Sequence, residues 1–195
     1  MKKLLAKFVN FITGWHVKVP EKFRLKKAVM IAAPHTSNWD LIHALPGLWL
    51  GEYRPQFFIK DDFKKIPVIN WLLKWVGAIW VNRKKHNNLI AHSADMLNHE
   101  EELILLVPAE GTRKAVPQWK MGFYHIAKQA GLPILLAYLD YAKKEAGVGK
   151  IIYPSDDMEK DLLEIEDFYK NITPKYPENF NKQIFIRKKT STQSS

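Results

Sequence analysis

The chain has no cysteine among its 195 residues. That excludes disulfides, thiolate metal sites and any mechanism built on a thiol nucleophile. No apolar run approaches the roughly 20 residues a helix needs to cross a bilayer. The start lacks an apolar core followed by a small-residue cleavage site, so no cleavable signal is expected. No G-x-S-x-G nucleophile elbow occurs, which leaves a serine hydrolase without support. Internal repeats, a domain linker, zinc-finger spacing and RNA-binding aromatic signatures are all missing. Acidic residues are few beside basic ones, 20 against 30, for a net charge of +10. Such an excess suits an acidic partner: nucleic acid, an anionic membrane or a phosphorylated substrate.

What is present describes a folded domain. Hydrophobic residues make up 47% and aromatic ones 12%, which argues against general disorder. This length suits one domain that buries roughly 70% of the surface of its unfolded chain. Patterning predicts strands at 28–33, 56–60, 78–82, 103–107 and 133–139, with a further strand at 150–153. Helices are expected over 38–50, 62–76, 87–98 and 118–130, and another opens near Ser155-Asp156-Asp157. A late edge strand is expected at 183–187, and residues 190–195 read as a frayed tail. Alternation of this kind implies an α/β fold: a single layered domain with a largely parallel central sheet flanked by helices. The domain proper spans 17–189, preceded by an amphipathic helix over 1–16.

The most informative segment is His35-Thr36-Ser37-Asn38-Trp39-Asp40. A histidine and an aspartate can form a base and its orienter, the carboxylate fixing the imidazole tautomer and stabilising the imidazolium. Five residues apart on a regular helix means about 140° of rotation, so the side chains would diverge. They can meet if His35 precedes the helix and Asp40 lies in its first turn. Pro34 stops the preceding strand, Ser37 is a good N-cap, and the apolar run from Leu41 continues the helix. The helix N-terminus would add positive potential there. The same spacing also fits a capping arrangement between Ser37 and Asp40, with His35 merely preceding it.

A second segment, Glu110-Gly111-Thr112-Arg113, follows the strand at 103–107 and Pro108-Ala109. Polar groups after the C-terminal end of a strand lie where α/β proteins usually bind ligands. Gly111 permits a tight turn, and Arg113 can grip phosphate or carboxylate bidentately. Alone, the segment is also consistent with a surface loop carrying an ion pair.

Between these segments lie Phe57-Phe58-Ile59-Lys60 and Gly77-Ala78-Ile79-Trp80-Val81-Asn82-Arg83. Together the blocks resemble the glycerolipid acyltransferase family typified by lysophosphatidate (1-acylglycerol-3-phosphate) acyltransferases. Four blocks stand in the family's order: H-x-x-x-x-D at His35 and Asp40, G-x-I-x-V-x-R ending at Arg83, E-G-T-R at Glu110 to Arg113, and an apolar strand opening at Pro133. The resemblance covers about residues 28 to 140. Pro34, Trp80, Ala109 and Lys114 depart from the usual residues beside these blocks, while the His35 and Asp40 positions keep theirs.

The resemblance implies a fatty acyl transfer from acyl-CoA or acyl carrier protein to a lysophospholipid or related single-chain lipid. His35 would be the general base and Asp40 its orienter. Arg83 and Arg113 would hold the acceptor's phosphate, with Lys60 as a helper. Glu110 would position Arg113 or an acceptor hydroxyl, Gly111 and Thr112 would shape the loop, and Pro133 would support the pocket. No cofactor or metal is expected, only the thioester co-substrate. An alternative is a non-catalytic basic protein that binds anionic membrane or nucleic acid, but four ordered blocks fit a binding module poorly. Nucleic acid is therefore not an expected partner.

Leu4, Leu5, Phe8, Phe11, Ile12 and Trp15 fall on one helical face, with Lys2, Lys3 and Lys7 largely off it. A helix docked on the protein's own core would carry this pattern. An interfacial anchor on an anionic membrane would carry it too, and the resemblance favours the anchor. The expected location is cytoplasmic, peripheral on the inner face of the cell membrane. His43 lies three residues beyond Asp40, but no third ligand accompanies it and His35 as a zinc site requires. His86, His92, His99 and His125 read as surface or packing residues.

Overall fold

The structure is a computed structural model of the chain, and it describes residues 1–60, 66–81 and 88–186. In chain order these form α1 (Lys2–Thr13), β1 (His16–Lys18), β2 (Lys27–Ala33), α2 (Trp39–Leu50), β3 (Pro55–Lys60), α3 (Pro67–Val76) and β4 (Ala78–Val81). There follow α4 (Leu89–His99), β5 (Leu103–Val107), α5 (Gly122–Ala130), β6 (Ile134–Asp140), β7 (Glu145–Ile152) and α6 (Met158–Tyr169). Among the described residues the strands make one seven-stranded sheet in the order β1-β7-β6-β2-β5-β3-β4. The five strands from β6 to β4 run parallel, and only the β6–β7 pairing is antiparallel.

Apart from Lys27 and Asp140 at the ends of β2 and β6, the central strands β2, β5 and β6 are apolar because helices cover both their faces. Val29, Ile31, Leu105, Ile134 and Leu136 meet Leu97 of α4, Phe123 of α5 and Ile165 of α6 on one side. Ala28, Met30, Leu106 and Leu135 meet Leu48 of α2 on the other. Outside that second layer, Ala6 of α1 and Val76 of α3 pack with Leu45 and Trp49 of α2. Each fully buried large side chain contributes about 1.5–3 kcal/mol, so the three central strands dominate the stability.

Several boundaries differ from the sequence reading. The expected strand at 150–153 overlaps the end of a longer β7, whose earlier part is hidden by Glu145, Gly147 and Gly149. β1 was not expected; it is three residues long and pairs parallel with β7. The helix expected from 118 begins at Gly122, because the backbone N–H groups of Trp119 and Lys120 donate instead to Ile184 and Ala109 carbonyls. Residues 183–186 form no strand, although Ile184 and Phe185 are buried. The apolar signal there was core packing of an irregular segment. The beginning of the helix expected at 62, residue 82, residue 87 and the tail from 187 lie outside the described residues.

Candidate active site

β2 delivers the chain to the carboxyl edge of the sheet, and Pro34 to Asn38 turn it into α2. His35 lies in that turn and Asp40 in the first turn of α2, which is the arrangement the spacing required. Nδ1 of His35 stands 3.1 Å from Asp40 Oδ2. The same oxygen accepts the N–H groups of Thr36 and Ser37, both at 2.9 Å. Ser37 Oγ in turn accepts the Trp39 N–H at 3.2 Å. One carboxylate therefore both caps the turn and meets the His35 ring, so the contacts required by either reading are present together. The His35 side chain is 31% exposed and that of Asp40 5%, so the imidazole is partly open while the carboxylate is hidden.

Burial disfavours the charged form of Asp40, but hydrogen bonds from His35, the Tyr141 hydroxyl and the Ser37 N–H outweigh it. They hold its carboxyl below the usual range. Tyr141 donates to Asp40 Oδ1 at 2.7 Å. On the other side, Glu110 Oε2 accepts the His35 backbone N–H at 2.7 Å. Burial pushes Glu110 up to about 7 despite that bond. Its Oε1 is buried without a hydrogen-bond partner.

An apolar cavity of about 380 Å³ opens beside this pair. His35, Asn38 and Arg113 give it polar groups, while Ala44 and Gly47 of α2, Ala137 of β6 and Gly147 of β7 line its interior. Two of its glycines allow close packing around it: a Cβ added at Gly47 would fall 2.8 Å from Ala146 Cβ, and one at Gly147 would fall 2.4 Å from the Lys18 carbonyl oxygen.

A family model described as Acyltransferase matches residues 15–138, well over half of the chain. The chain belongs to the acyltransferase family. A solved structure with a similar fold is the crystal structure of the 1-acyl-sn-glycerophosphate (LPA) acyltransferase, PlsC, from Thermotoga maritima. The likeness has a TM-score of 0.58 at 17% identity, covering 89% of this chain and 81% of that one. No curated protein sequence matches the chain.

In this acyltransferase the remaining residues singled out from the sequence fall into three groups. Gly111, Thr112 and Arg113 sit beside the His35 turn. Gly111 takes φ 69°, which a side chain would strain, and its N–H donates to the Pro108 carbonyl at 3.1 Å. Thr112 Oγ1 accepts the Lys114 N–H at 3.4 Å. Arg113 is exposed and donates to Asn38 Oδ1. The second group lies outside the described residues: Arg83 altogether, and Lys60 for its side chain.

The third group requires correction. Glu110 is turned toward the His35 backbone, not toward Arg113, the first of the two partners expected for it; the second, an acceptor hydroxyl, is unaffected by this contact. Pro133 precedes β6 at the far edge of the sheet, where its carbonyl accepts the Val29 N–H at 3.1 Å. A parallel strand carries its start away from the site, so Pro133 supports the sheet and not the cavity. Trp15 is 6% exposed and does not belong to the open stripe. α1 ends at Thr13, Gly14 takes φ 69°, and that turn swings Trp15 onto His43, with ring centroids 4.3 Å apart. Leu4, Leu5, Phe8, Phe11 and Ile12 remain exposed.

His43 is accordingly a packing group between Trp15 and Tyr141. Burial, then the nearby Lys175 charge, lowers its pKa and keeps it neutral. No three metal-ligating side chains cluster among the described residues. Sequence reasoning missed Tyr141 and Asn38. Nothing local marks Tyr141, which meets Asp40 across 101 positions of sequence.

Proposed function

We propose that this acyltransferase moves a fatty acyl group from acyl-CoA or acyl carrier protein to the hydroxyl of a lysophospholipid or related single-chain lipid. The observation that carries this reading is the His35–Asp40 pair at an apolar cavity, with the Arg113 guanidinium beside it. Hydrophobic walls suit an acyl chain, and a guanidinium suits a phosphate. His35 Nε2 takes the proton of the acceptor hydroxyl, and Asp40 holds Nδ1–H and stabilises the imidazolium. The acceptor oxygen attacks the thioester carbonyl, the new C–O bond forms, and the C–S bond breaks. The proton on His35 passes to the departing thiolate. No protein nucleophile takes part, so no acyl-enzyme accumulates. Arg113 and, by the resemblance of its motif, Arg83 bind the acceptor's phosphate, with Lys60 assisting; Gly111 and Thr112 hold the loop.

The same reading places the protein peripherally on an anionic membrane, at the cytoplasmic face. No helix among the described residues is long and apolar enough to cross a membrane. Exposed large apolar side chains are concentrated on the α1–α3 layer: Leu4, Phe8 and Phe11 of α1, Trp39 and Ile42 of α2, Val68, Trp71 and Leu72 of α3. The helices of the opposite layer, α4, α5 and α6, expose only Leu163 among their described residues, with Tyr153 and Ile186 exposed in the segments beside them. α1 and α3 carry lysines and no acidic residue. An apolar surface with basic residues supports docking on anionic lipid.

The deciding experiment incubates the protein with acyl-CoA and lysophosphatidate and follows free CoA and the diacyl product. Both are expected to form, and to stop with His35→Ala. CoA release that does not depend on the acceptor would make the protein a thioesterase. No release with any single-chain lipid or either donor would refute the reading.

A further inference from the structure

Asp40 is held from two sides. Three donors converge on Oδ2: the Thr36 N–H, the Ser37 N–H and His35 Nδ1. Oδ1 has one partner among the described residues, the Tyr141 hydroxyl at 2.7 Å. Tyr141 follows β6 and is itself fixed. Its N–H donates to the Thr173 carbonyl at 2.8 Å, and the Trp15 ring meets it edge-on at 4.9 Å. His43 packs against it at 5.9 Å, and the Lys175 ammonium lies 6.0 Å from its centroid.

We propose that Tyr141 is a positioning residue for the transfer reaction, fixing the His35 imidazole through Asp40, and that Trp15 holds Tyr141 in place. The proposal rests on the general-base reading of His35. A carboxylate held at one oxygen can still pivot about that oxygen, and the imidazole bonded to it shifts with it. A donor on the second oxygen locks the plane. The tyrosine proton also draws charge away from the carboxylate, and so sets how strongly Asp40 retains a protonated imidazole. A ring that merely filled space would need no hydroxyl at this point. Trp15 connects the end of α1 to this chain of contacts, so the helix proposed to meet the membrane is also in touch with the catalytic turn.

Tyr141→Phe keeps the ring and removes only the donor. With acyl-CoA and lysophosphatidate, kcat is expected to fall about tenfold, the scale of one hydrogen bond to a charged group. KM for both substrates stays unchanged, since Tyr141 touches neither. The acid limb of the kcat/KM profile moves to higher pH, because an unbalanced Asp40 retains the protonated imidazole more strongly. In an Asp40→Asn background, Tyr141→Phe adds little further loss, because the path through the carboxylate is already cut. A 3-fluorotyrosine at position 141 is a stronger donor and moves the limb to lower pH. A folded Tyr141→Phe protein with wild-type kcat and an unmoved profile overturns the proposal. So does an additive loss in the Asp40→Asn background. Should Tyr141→Phe not fold, the fluorotyrosine protein decides, and an unmoved limb overturns the proposal. Failure of the general-base reading looks different: His35→Ala would stay active.

Discussion

Glu110 reaches His35 through the backbone: its Oε2 accepts the His35 N–H at 2.7 Å while Oε1 is buried with no partner. This contact joins the loop after β5 to the turn after β2, so the two most telling sequence segments build one site. It also makes Glu110 a buried carboxyl whose proton is worth keeping.

The consequence is a stability that depends on pH. Burial raises Glu110 from its ordinary 4.5 to about 7 in the folded protein. The folded state therefore binds the proton more tightly than the unfolded chain. Its contribution is fully present below about pH 4.5 and is lost as pH rises through about 7. The gap corresponds to about 3 kcal/mol. Urea unfolding at pH 5, 6 and 7 should show wild-type stability falling more steeply than that of Glu110→Gln, which has no such proton. Parallel slopes for the two proteins would show that Glu110 is charged throughout.

Chemistry at the pair is tested by two substitutions. His35→Ala should lower kcat by roughly 10²–10⁴-fold, the usual worth of a positioned base, without unfolding the protein. Asp40→Asn should be severe but leaky, because the amide can still orient the ring but cannot stabilise its charge. Two of its three donors on Oδ2, the Thr36 and Ser37 N–H groups, also cap the turn, so melting temperatures belong beside the rates. Near wild-type transfer by folded His35→Ala would remove the mechanism.

Phosphate recognition is read through KM. Arg113 lies at the cavity, exposed and hydrogen-bonded to Asn38. Arg113→Ala should raise KM for a phosphorylated acceptor about tenfold or more, since a charge-assisted contact is worth about 1.5–3 kcal/mol. kcat should change little if the contact is equally strong in ground and transition states. Arg83→Ala should behave alike. Unchanged acceptor kinetics in both variants would favour a lipid without phosphate.

The cavity predicts chain-length selection. Ala44 lines it from α2, and Ala44→Leu would fill part of the space an acyl chain uses. Each excluded methylene forfeits about 0.8 kcal/mol of burial. Competition between long and short acyl-CoA donors should therefore shift several-fold toward the shorter. An unaltered preference would mean that the acyl chain lies elsewhere.

Much of this was legible in the sequence, for physical reasons. The strand at 103–107 is apolar at every position because it is covered on both faces, and so short an unbroken run suits a buried strand better than a helix. His35 and Asp40 could be paired because Pro34 and Ser37 fixed where strand ended and helix began. Tyr141 could not be found this way, since its contact with Asp40 is made by folding β6 beside β2. Trp15 misled because helical periodicity continued past the residue at which the helix ends; Gly14 was the signal that it stops. Pro133 sat in the right motif order but at the wrong end of its strand, and only the parallel register reveals that.

The proposed membrane docking is tested by separating access from chemistry. Phe11 is 87% exposed on α1, and Trp71 is 67% exposed on α3. Their helices share a packed layer, with the Lys2 ammonium over the rings of both Trp49 and Trp75, at 5.3 and 5.2 Å. Phe8→Ser with Phe11→Ser, and separately Val68→Ser with Trp71→Ser, should each weaken sedimentation with anionic vesicles. Each large side chain inserted contributes up to about 1.5–3 kcal/mol, so either pair should cost at least tenfold in binding. Activity on a soluble short-chain acceptor should survive, because none of the four touches the His35 turn. Activity on acceptor presented in a bilayer should fall. Salt should weaken wild-type binding only in part, screening the lysines while insertion persists. If the α1 pair matters and the α3 pair does not, docking is through α1 alone. If both pairs stay folded and bind vesicles as the wild type does, the apolar layer faces something other than lipid.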